Sequence, residues 1–563
     1  MNPVVDALNA LSIFRPSQAG AYREHGDAVR KILGADIPTK AQARVTQWAE
    51  SGSRGTLILT GNAGTGKTAL VETYCRALGV PPPAQDGISQ VAPGRYVVKD
   101  FSGLQAKQRP EVLRLEKAVR CGETDAQLLV CANEGVLRAA IEAARRSDLE
   151  AEFDRALRDG VALPADECGT AIWNMNRQRW TDPVQWGRLL DYMVREDLWR
   201  DCEGCPAKSE CPINANAAAL RRESPREATR RLTQLASSNV VATLRELLAI
   251  LANAITGGLS CHDVRNAERT FTATESYFNW FFGDNLEPSR RERSYLLQAI
   301  REVGVGEAAD AEVDGWLRDA GTAPPEVREF ATDRNSPLSR VRTRIGDMSF
   351  SEFGETITVS DDPVRVAECL KDFAEGANVL ALWRRRIFME AQPFLGGRTA
   401  AFRRLTWFTH FGELLDMAEA AARGDDLADQ RQELIVGMNY LVAGLHAAGE
   451  LVVPDAGSLA ARNPGSFVPS PPAAVHDERP FDDLRLSLED GPEVQAVLDT
   501  DGARMRLSVD TADVDVQLPL TSRLFQAIMD SCRYRAPIGA DIPEMTEIRS
   551  FYARLASGAV PDR

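Results

Sequence analysis

Gly61-Asn62-Ala63-Gly64-Thr65-Gly66-Lys67-Thr68 gathers glycines, an ammonium and a hydroxyl within eight positions. Those residue types suit phosphate. Glycines let backbone N–H groups curl round phosphate oxygens, and a following helix adds the partial positive charge of its N-terminus. Lys67 would reach β- and γ-phosphates, while the Thr68 hydroxyl would ligate Mg²⁺. The spacing fits G-x-x-x-x-G-K-[ST] at every fixed position. Leu57, Ile58 and Leu59 before it form an apolar run, and Ala69, Leu70, Val71 and Glu72 after it favour a helix. This is the strand–loop–helix context that the motif requires, so the segment predicts an ATP site with Mg²⁺.

Hydrolysis needs a polar group at the end of a neighbouring strand to hold the metal or orient water. Two strands offer one. Arg95 to Asp100 ends in Asp100, the candidate on the Mg²⁺ side. Ala126 to Ala132 ends in Asn133-Glu134-Gly135, so Glu134 is a second candidate acid and Asn133 a candidate γ-phosphate sensor. Downstream, Arg245 opens the amphipathic stretch Ser238 to Ile255. It resembles the second-sensor segment of AAA+ ATPases, where an Arg at the start of a lid helix reaches back to the γ-phosphate; the plainer reading is an exposed helix arginine. Arg177 and Arg179 are candidate arginine fingers, because a guanidinium can neutralise charge on a transferring phosphoryl group.

Cys202, Cys205 and Cys211 form C-x2-C-x5-C on a Gly/Pro turn. In a cytosolic chain such grouping points to metal rather than disulfides. Soft sulfur ligands select Zn²⁺ or an iron–sulfur cluster, with Zn²⁺ ahead here. A fourth ligand is needed, and Cys168, Cys261 and His262 are the candidates. Arginines also cluster: Arg221, Arg222, Arg226, Arg230 and Arg231 follow the cysteines. Arg384, Arg385 and Arg386 follow Trp383, and Arg398, Arg403 and Arg404 precede Trp407. Arg beside aromatics could contact nucleic-acid phosphate and stack on bases, although such residues more often form solvated faces or ion pairs.

The elements that must position these groups follow from the pattern. Residues 1–50 are a helical lead-in. From 51 to 200, strands alternate with helices, including one long helix over 136–158, which predicts a parallel sheet with helical crossovers. Residues 201–340 carry the cysteines and a helical lid region, and 341–450 are helical. The Pro- and Gly-rich stretch 451–480 reads as a linker. Over 481–563, LRLSLED, VQAVLDTDG and ARMRLSVD alternate with period two before a last helix, a small α+β domain. The fold class expected is thus an α/β P-loop NTPase domain, AAA+-like, followed by a mainly helical region and that small domain. The chain has 563 residues and a formal net charge of −15, with 66 Lys+Arg against 81 Asp+Glu. That balance argues against indiscriminate whole-surface binding to nucleic acid. No apolar run approaches the roughly 18–20 residues that span a bilayer, and the N-terminus lacks a signal-peptide pattern. A cytoplasmic protein without a membrane partner is expected.

Several segments together resemble the P-loop ATPases of bacterial defence islands, especially the ATPase partners in DNA phosphorothioation-linked restriction. They are the loop at 61–68, the Asn133-Glu134-Gly135 turn, NMNRQ at 174–178 and the segment from Cys202 to Asn214. The TLRELL…TGG stretch at 243–258 and the RRRIFME and VGMNYLVAGL segments are similar too. The chain departs from the pattern in placing no Asp-Glu pair at a strand end. The resemblance implies an antiviral ATPase working as a homo-oligomer with other defence-system proteins, and with DNA as a possible partner. The other function classes are a nucleotide-switched signalling or assembly ATPase without direct DNA contact, and a small-molecule kinase. The long helical extension counts against the kinase.

Overall fold

The structure, a computed structural model, describes most of residues 1–318 apart from 15–28, 163–168 and shorter gaps. Beyond 318 it describes chiefly 381–390, 398–443, strands between Val452 and Leu520, and the helix Ser522–Tyr534. The chain divides into two compact units. One comprises Gly34–Trp180 and Val241–Ala249; the other comprises Met1–Leu33, Thr181–Val240 and Ile250–Arg563.

The first unit is an α/β domain. Its six strands are β1 (Gly55–Thr60), β2 (Ile88–Ala92), β3 (Arg95–Val98), β4 (Gln127–Ala132), β5 (Val161–Ala162) and β6 (Thr170–Asn174), in the order β2-β3-β4-β1-β6-β5. The inner four, β3, β4, β1 and β6, are parallel, and β2 and β5 close the edges antiparallel, so the sheet is mixed. Every residue of β1 and β4 is buried, as expected of central parallel strands covered on both faces. Alternate residues feed two cores. Leu57, Leu59, Leu129 and Cys131 pack with Val45 of helix Lys40–Ser51 and with Leu70 and Tyr74 of helix Lys67–Ala77. Ile58, Leu128, Val130 and Ile172 pack with Val112, Leu137 and Phe153 from three helices on the other face. The period-two alternation of strand side chains makes this three-layer arrangement possible.

Chain order fixes where the crevice lies. β4 and β6 flank β1, and the chain reaches them by leaving β1 outward to β3, returning through helix Arg109–Arg120 to β4, then passing over to β6. In open α/β sheets a ligand crevice forms at such a reversal, outside the carboxyl ends of the strands.

Three expectations change, the last of them in the second unit. The helix expected over 136–158 is two helices, Glu134–Ala143 and Ser147–Asp159, separated at Arg145, whose φ is 52°. Beside this break the Arg146 guanidinium pairs with Glu116, which is 1% exposed, at 2.8 Å. A carboxylate buried that deeply needs a charged partner. The second change concerns hydropathy. Leu244–Arg265 has the length and the mean hydropathy, 1.3, of a membrane-crossing segment, and 61% of its most apolar window is buried inside the protein, as in a core helix.

The second unit is mainly helical. Tyr277, Phe278, Phe281 and Phe282 are buried in it, and Asn216, fully buried, donates to the Ile255 and Glu275 carbonyls while accepting from the Tyr277 N–H. The stretch expected as a linker contains strands: β7 (Val452–Pro454) pairs antiparallel with β8 (Phe467–Pro469), and β9 (Ala473–His476) opens a sheet. That sheet continues through β10 (Leu484–Leu488), β11 (Pro492–Leu498), β12 (Ala503–Val509) and β13 (Val514–Leu520) as an antiparallel meander. The period-two alternation foretold its central strands; β9 and β13 lie outside the stretches singled out.

Candidate nucleotide site and cysteine cluster

The glycine-rich loop leaves the carboxyl end of β1 at the crevice. Gly61, Gly64 and Gly66 have φ of 142°, 90° and 95°, values that L side chains rarely adopt. Two of them also make room. A Cβ on Gly61 would meet Asn176 Oδ1 at 3.0 Å, and one on Gly64 would meet Arg245 Cβ at 2.9 Å. Thr65 is buried, its hydroxyl donating to the Asn62 carbonyl at 3.0 Å. Asn62 and Ala63 are exposed at the loop's tip, and Thr68 is half-buried one residue into helix Lys67–Ala77. That helix takes no side-chain cap from Gly66, so its first amides keep the donor capacity of an uncapped N-terminus.

Lys67 Nζ donates to the Gly61 and Asn62 carbonyls, both at 2.7 Å, folding over its own loop. Burial lowers the pKa of its ammonium; Cys131 and Asp100 oppose that shift, and Arg245 adds to it. Asp100 and Arg245 thus each act electrostatically on Lys67. The backbone N–H of Arg245 donates to the Gly64 carbonyl at 3.2 Å from the start of helix Leu244–Thr256, which Thr243 caps by accepting from the Glu246 N–H at 3.3 Å. Arg245 is exposed, as the plainer reading had it, yet it stands against the loop.

The two strand-end segments are also joined. Asp100 Oδ1 accepts from the Ser102 and Gly103 N–H groups at 3.0 and 3.2 Å, shaping the turn after β3. The Ser102 hydroxyl accepts from the Asn133 N–H at 2.9 Å. Asn133 is the N-cap residue of helix Glu134–Ala143, but its side chain makes no capping bond. Glu134 is the first residue of that helix, where an acid is favoured by the helix dipole whatever else it does.

Asn176 was not foreseen as a site residue. It follows β6 in a short 3₁₀ turn, Met175–Arg177, and its Oδ1 accepts from the Asn62 N–H at 2.7 Å. The available signal was a polar residue ending a half-apolar strand, the same signal that selected Asn133. Of the two candidate fingers, Arg179 and the side chain of Arg177 lie outside the described residues.

In the helical unit, Cys202 ends the 3₁₀ segment Glu196–Cys202, Cys205 follows in a tight turn, and Cys211 is the N-cap residue of helix Pro212–Ala219. Cys261, the first residue of helix Cys261–Arg265, lines the same cavity as these three. His262 is exposed and hydrogen-bonds Asn266, while Cys168 lies outside the described residues. Burial raises the Cys211 thiol to about 11, and the backbone N–H groups of Asn214 and Ile213 work against that rise.

Part of the arginine clusters turns inward within this unit: Arg230, Arg231, Arg384, Arg385 and Arg386 are buried, while Arg403 is exposed. Arg230 and Arg231 are 6% and 2% exposed and share Glu227; Arg226 pairs with Asp191 and Arg222 with Glu390. Arg384 pairs with Asp314 at 2.6 Å, Arg385 with Asp284, Arg403 with Glu413 and Arg404 with Glu312. These pairs, all with carboxylates of the same unit, are of the kind the ion-pair alternative describes.

No protein-family model matches the chain, no curated protein matches it, and no solved structure matches it.

Proposed function

We propose that this chain is a P-loop ATPase, binding ATP at Gly61–Thr68 and hydrolysing it to drive engagement of partner proteins. The observation that carries the reading is the contact of Lys67, Asn176 and Arg245 with one glycine-rich loop at the carboxyl end of β1, with Asp100 near enough to influence the Lys67 ammonium. Loop amides and the uncapped helix start would take the β- and γ-phosphate oxygens. Lys67 would exchange its two carbonyl partners for phosphate, a swap that makes loop opening part of binding. The Thr68 hydroxyl and the Asp100 carboxylate would supply hard oxygen ligands of the kind that suit Mg²⁺, which would offset phosphate charge. Asn133 would orient the attacking water or sense the γ-phosphate, and Arg245 would stabilise charge on the transferring group. Glu134 is the second candidate base, although its helix-start position already accounts for an acid there.

The resemblance in sequence extends this reading to a cytoplasmic, homo-oligomeric component of a bacterial DNA defence system. One observation favours nucleotide-switched assembly over direct DNA contact: the arginines expected on a phosphate-binding face are paired inside the helical unit. Partner proteins would then carry the DNA contact.

Steady-state ATP turnover of Asp100→Asn and Glu134→Gln tests the assignment. Asp100→Asn should lower turnover at least about a hundredfold, the scale of a lost catalytic carboxylate, while retaining nucleotide binding, and Glu134→Gln should have the smaller effect. The reverse order would move the acid to Glu134. DNA-stimulated turnover would restore the DNA-contact reading.

A further inference from the structure

Four of the ten cysteines, Cys202, Cys205, Cys211 and Cys261, line one cavity of the helical unit. Two stretches deliver them. Cys202 and Cys205 close a tight turn, the Cys205 N–H donating to the Cys202 carbonyl at 3.2 Å, and Cys211 is the N-cap residue of helix Pro212–Ala219. Cys261 arrives 50 residues later, at the start of helix Cys261–Arg265. None is in a disulfide. The thiols also act on one another: Cys261 and Cys205 influence Cys202 electrostatically, and Cys202 and Cys261 influence Cys211. The spacing in sequence left the fourth member of this group open, and the fold supplies it.

Size and donors decide what the cavity can hold. Its volume is about 20 Å³, room for one water-sized body and not for a centre of several metal atoms. The donors around it favour thiolate over thiol. Asn2 Nδ2 donates to Cys202 Sγ at 3.4 Å, Arg265 donates to Cys205 Sγ at 3.5 Å, and the Ile213 and Asn214 N–H groups donate to Cys211 from a helix start. A neutral thiol is a weak acceptor, whereas the anionic sulfur that binds metal is stabilised by such donors and by the Arg265 charge. The donor set is all sulfur, because His262 hydrogen-bonds Asn266 and does not line the cavity. Sulfur ligands select soft ions, and a set of four with a C-x2-C pair is the tetrahedral arrangement of structural zinc.

We propose that Cys202, Cys205, Cys211 and Cys261 together hold one structural zinc ion. Among the described residues no three Cys, His, Asp or Glu side chains are already gathered as a ligand set, so the ion has to draw the sulfurs inward. Three of them stand on short turns and at a helix end, where side-chain rotation suffices. Zinc would tie the helix at Cys261 to the turns at 202–211, and its binding free energy would become folding free energy of this unit. The site stands independently of the nucleotide reading.

The test is metal analysis and zinc X-ray absorption spectroscopy of the full chain, purified under reducing conditions. About one zinc per chain should be present, with four sulfur neighbours at about 2.3 Å. Cys261→Ser should lose most of the zinc, whereas Cys121→Ser, at an exposed cysteine of the α/β domain, should keep it. Folded, reduced wild type that holds no zinc and takes none up on titration overturns the proposal, as does wild type holding copper, or iron with acid-labile sulfide, in its place. Three sulfurs with one nitrogen or oxygen neighbour, or full zinc retention by Cys261→Ser, overturns the four-cysteine assignment. The spectrum is read on wild type, so poor folding of one variant does not blunt the test.

Discussion

Asn62 and Asn176 are 114 residues apart in sequence, and the backbone N–H of the first donates to the side-chain oxygen of the second at 2.7 Å. The same oxygen occupies the space a Cβ on Gly61 would need. The turn after β6 thus holds the glycine-rich loop in place from outside it, and a side chain at 61 would push the two apart.

Asn176→Ala should therefore loosen the loop without unfolding the domain. Loss of one partly solvated hydrogen bond costs about 1 kcal/mol, so nucleotide affinity should fall roughly fivefold. Titration with a fluorescent nucleotide would measure it. Unchanged affinity would mean that the loop holds its shape unaided.

Gly64→Ala should be more severe. The position combines a φ of 90° with a Cβ path that ends 2.9 Å from Arg245 Cβ. Both effects act on the loop, so nucleotide binding should drop below detection while circular dichroism stays near wild type. Gly187→Ala serves as the comparison. It lies inside helix Pro183–Val194, its Cβ would meet nothing within 4 Å, and its φ is not positive. There alanine should raise stability by about 0.5–1 kcal/mol, through helix propensity alone.

Gly64 marks what the sequence made legible. The motif at 61–68 announced the loop because its chemistry demands particular residues at fixed spacing, and the buried strands β1 and β4 announced themselves as apolar runs. Asp100, Asn133 and Arg245 were singled out from their positions at element ends. Asn176 was missed because its role is a contact made by topology: β6 comes to lie beside β1 only once the chain has crossed the sheet. The inward arginines were equally opaque. Charge clusters look alike in sequence whether they face phosphate or a carboxylate such as Glu227, since the partner is chosen by packing. Cys261 was one of several candidates until the fold brought it to the other three.

Glu227 gives the helical unit a defined acid limb. Burial would raise its pKa, but the Arg230 and Arg231 guanidinium groups outweigh it and hold the carboxyl at about 2, below its usual 4.5. A depressed folded-state pKa contributes stability that is fully present above pH 4.5 and is lost as pH falls towards 2. Chemical denaturation across that window should show wild-type stability falling more steeply than that of Glu227→Gln. Parallel curves would show that the pairing contributes no pH-dependent stability.

If the proposed function holds, the loop at 61–68 binds and turns over ATP. Lys67→Ala removes the ammonium and the two contacts it makes to the Gly61 and Asn62 carbonyls, and Lys67 is only half-buried. The direct measurement is ATP binding by calorimetry and phosphate release, on wild type and this variant side by side. Wild type should show saturable Mg·ATP binding and turnover, with turnover abolished and affinity strongly reduced in a variant of unchanged fold. Equal binding and hydrolysis by the two proteins, or no binding by wild type, would contradict it.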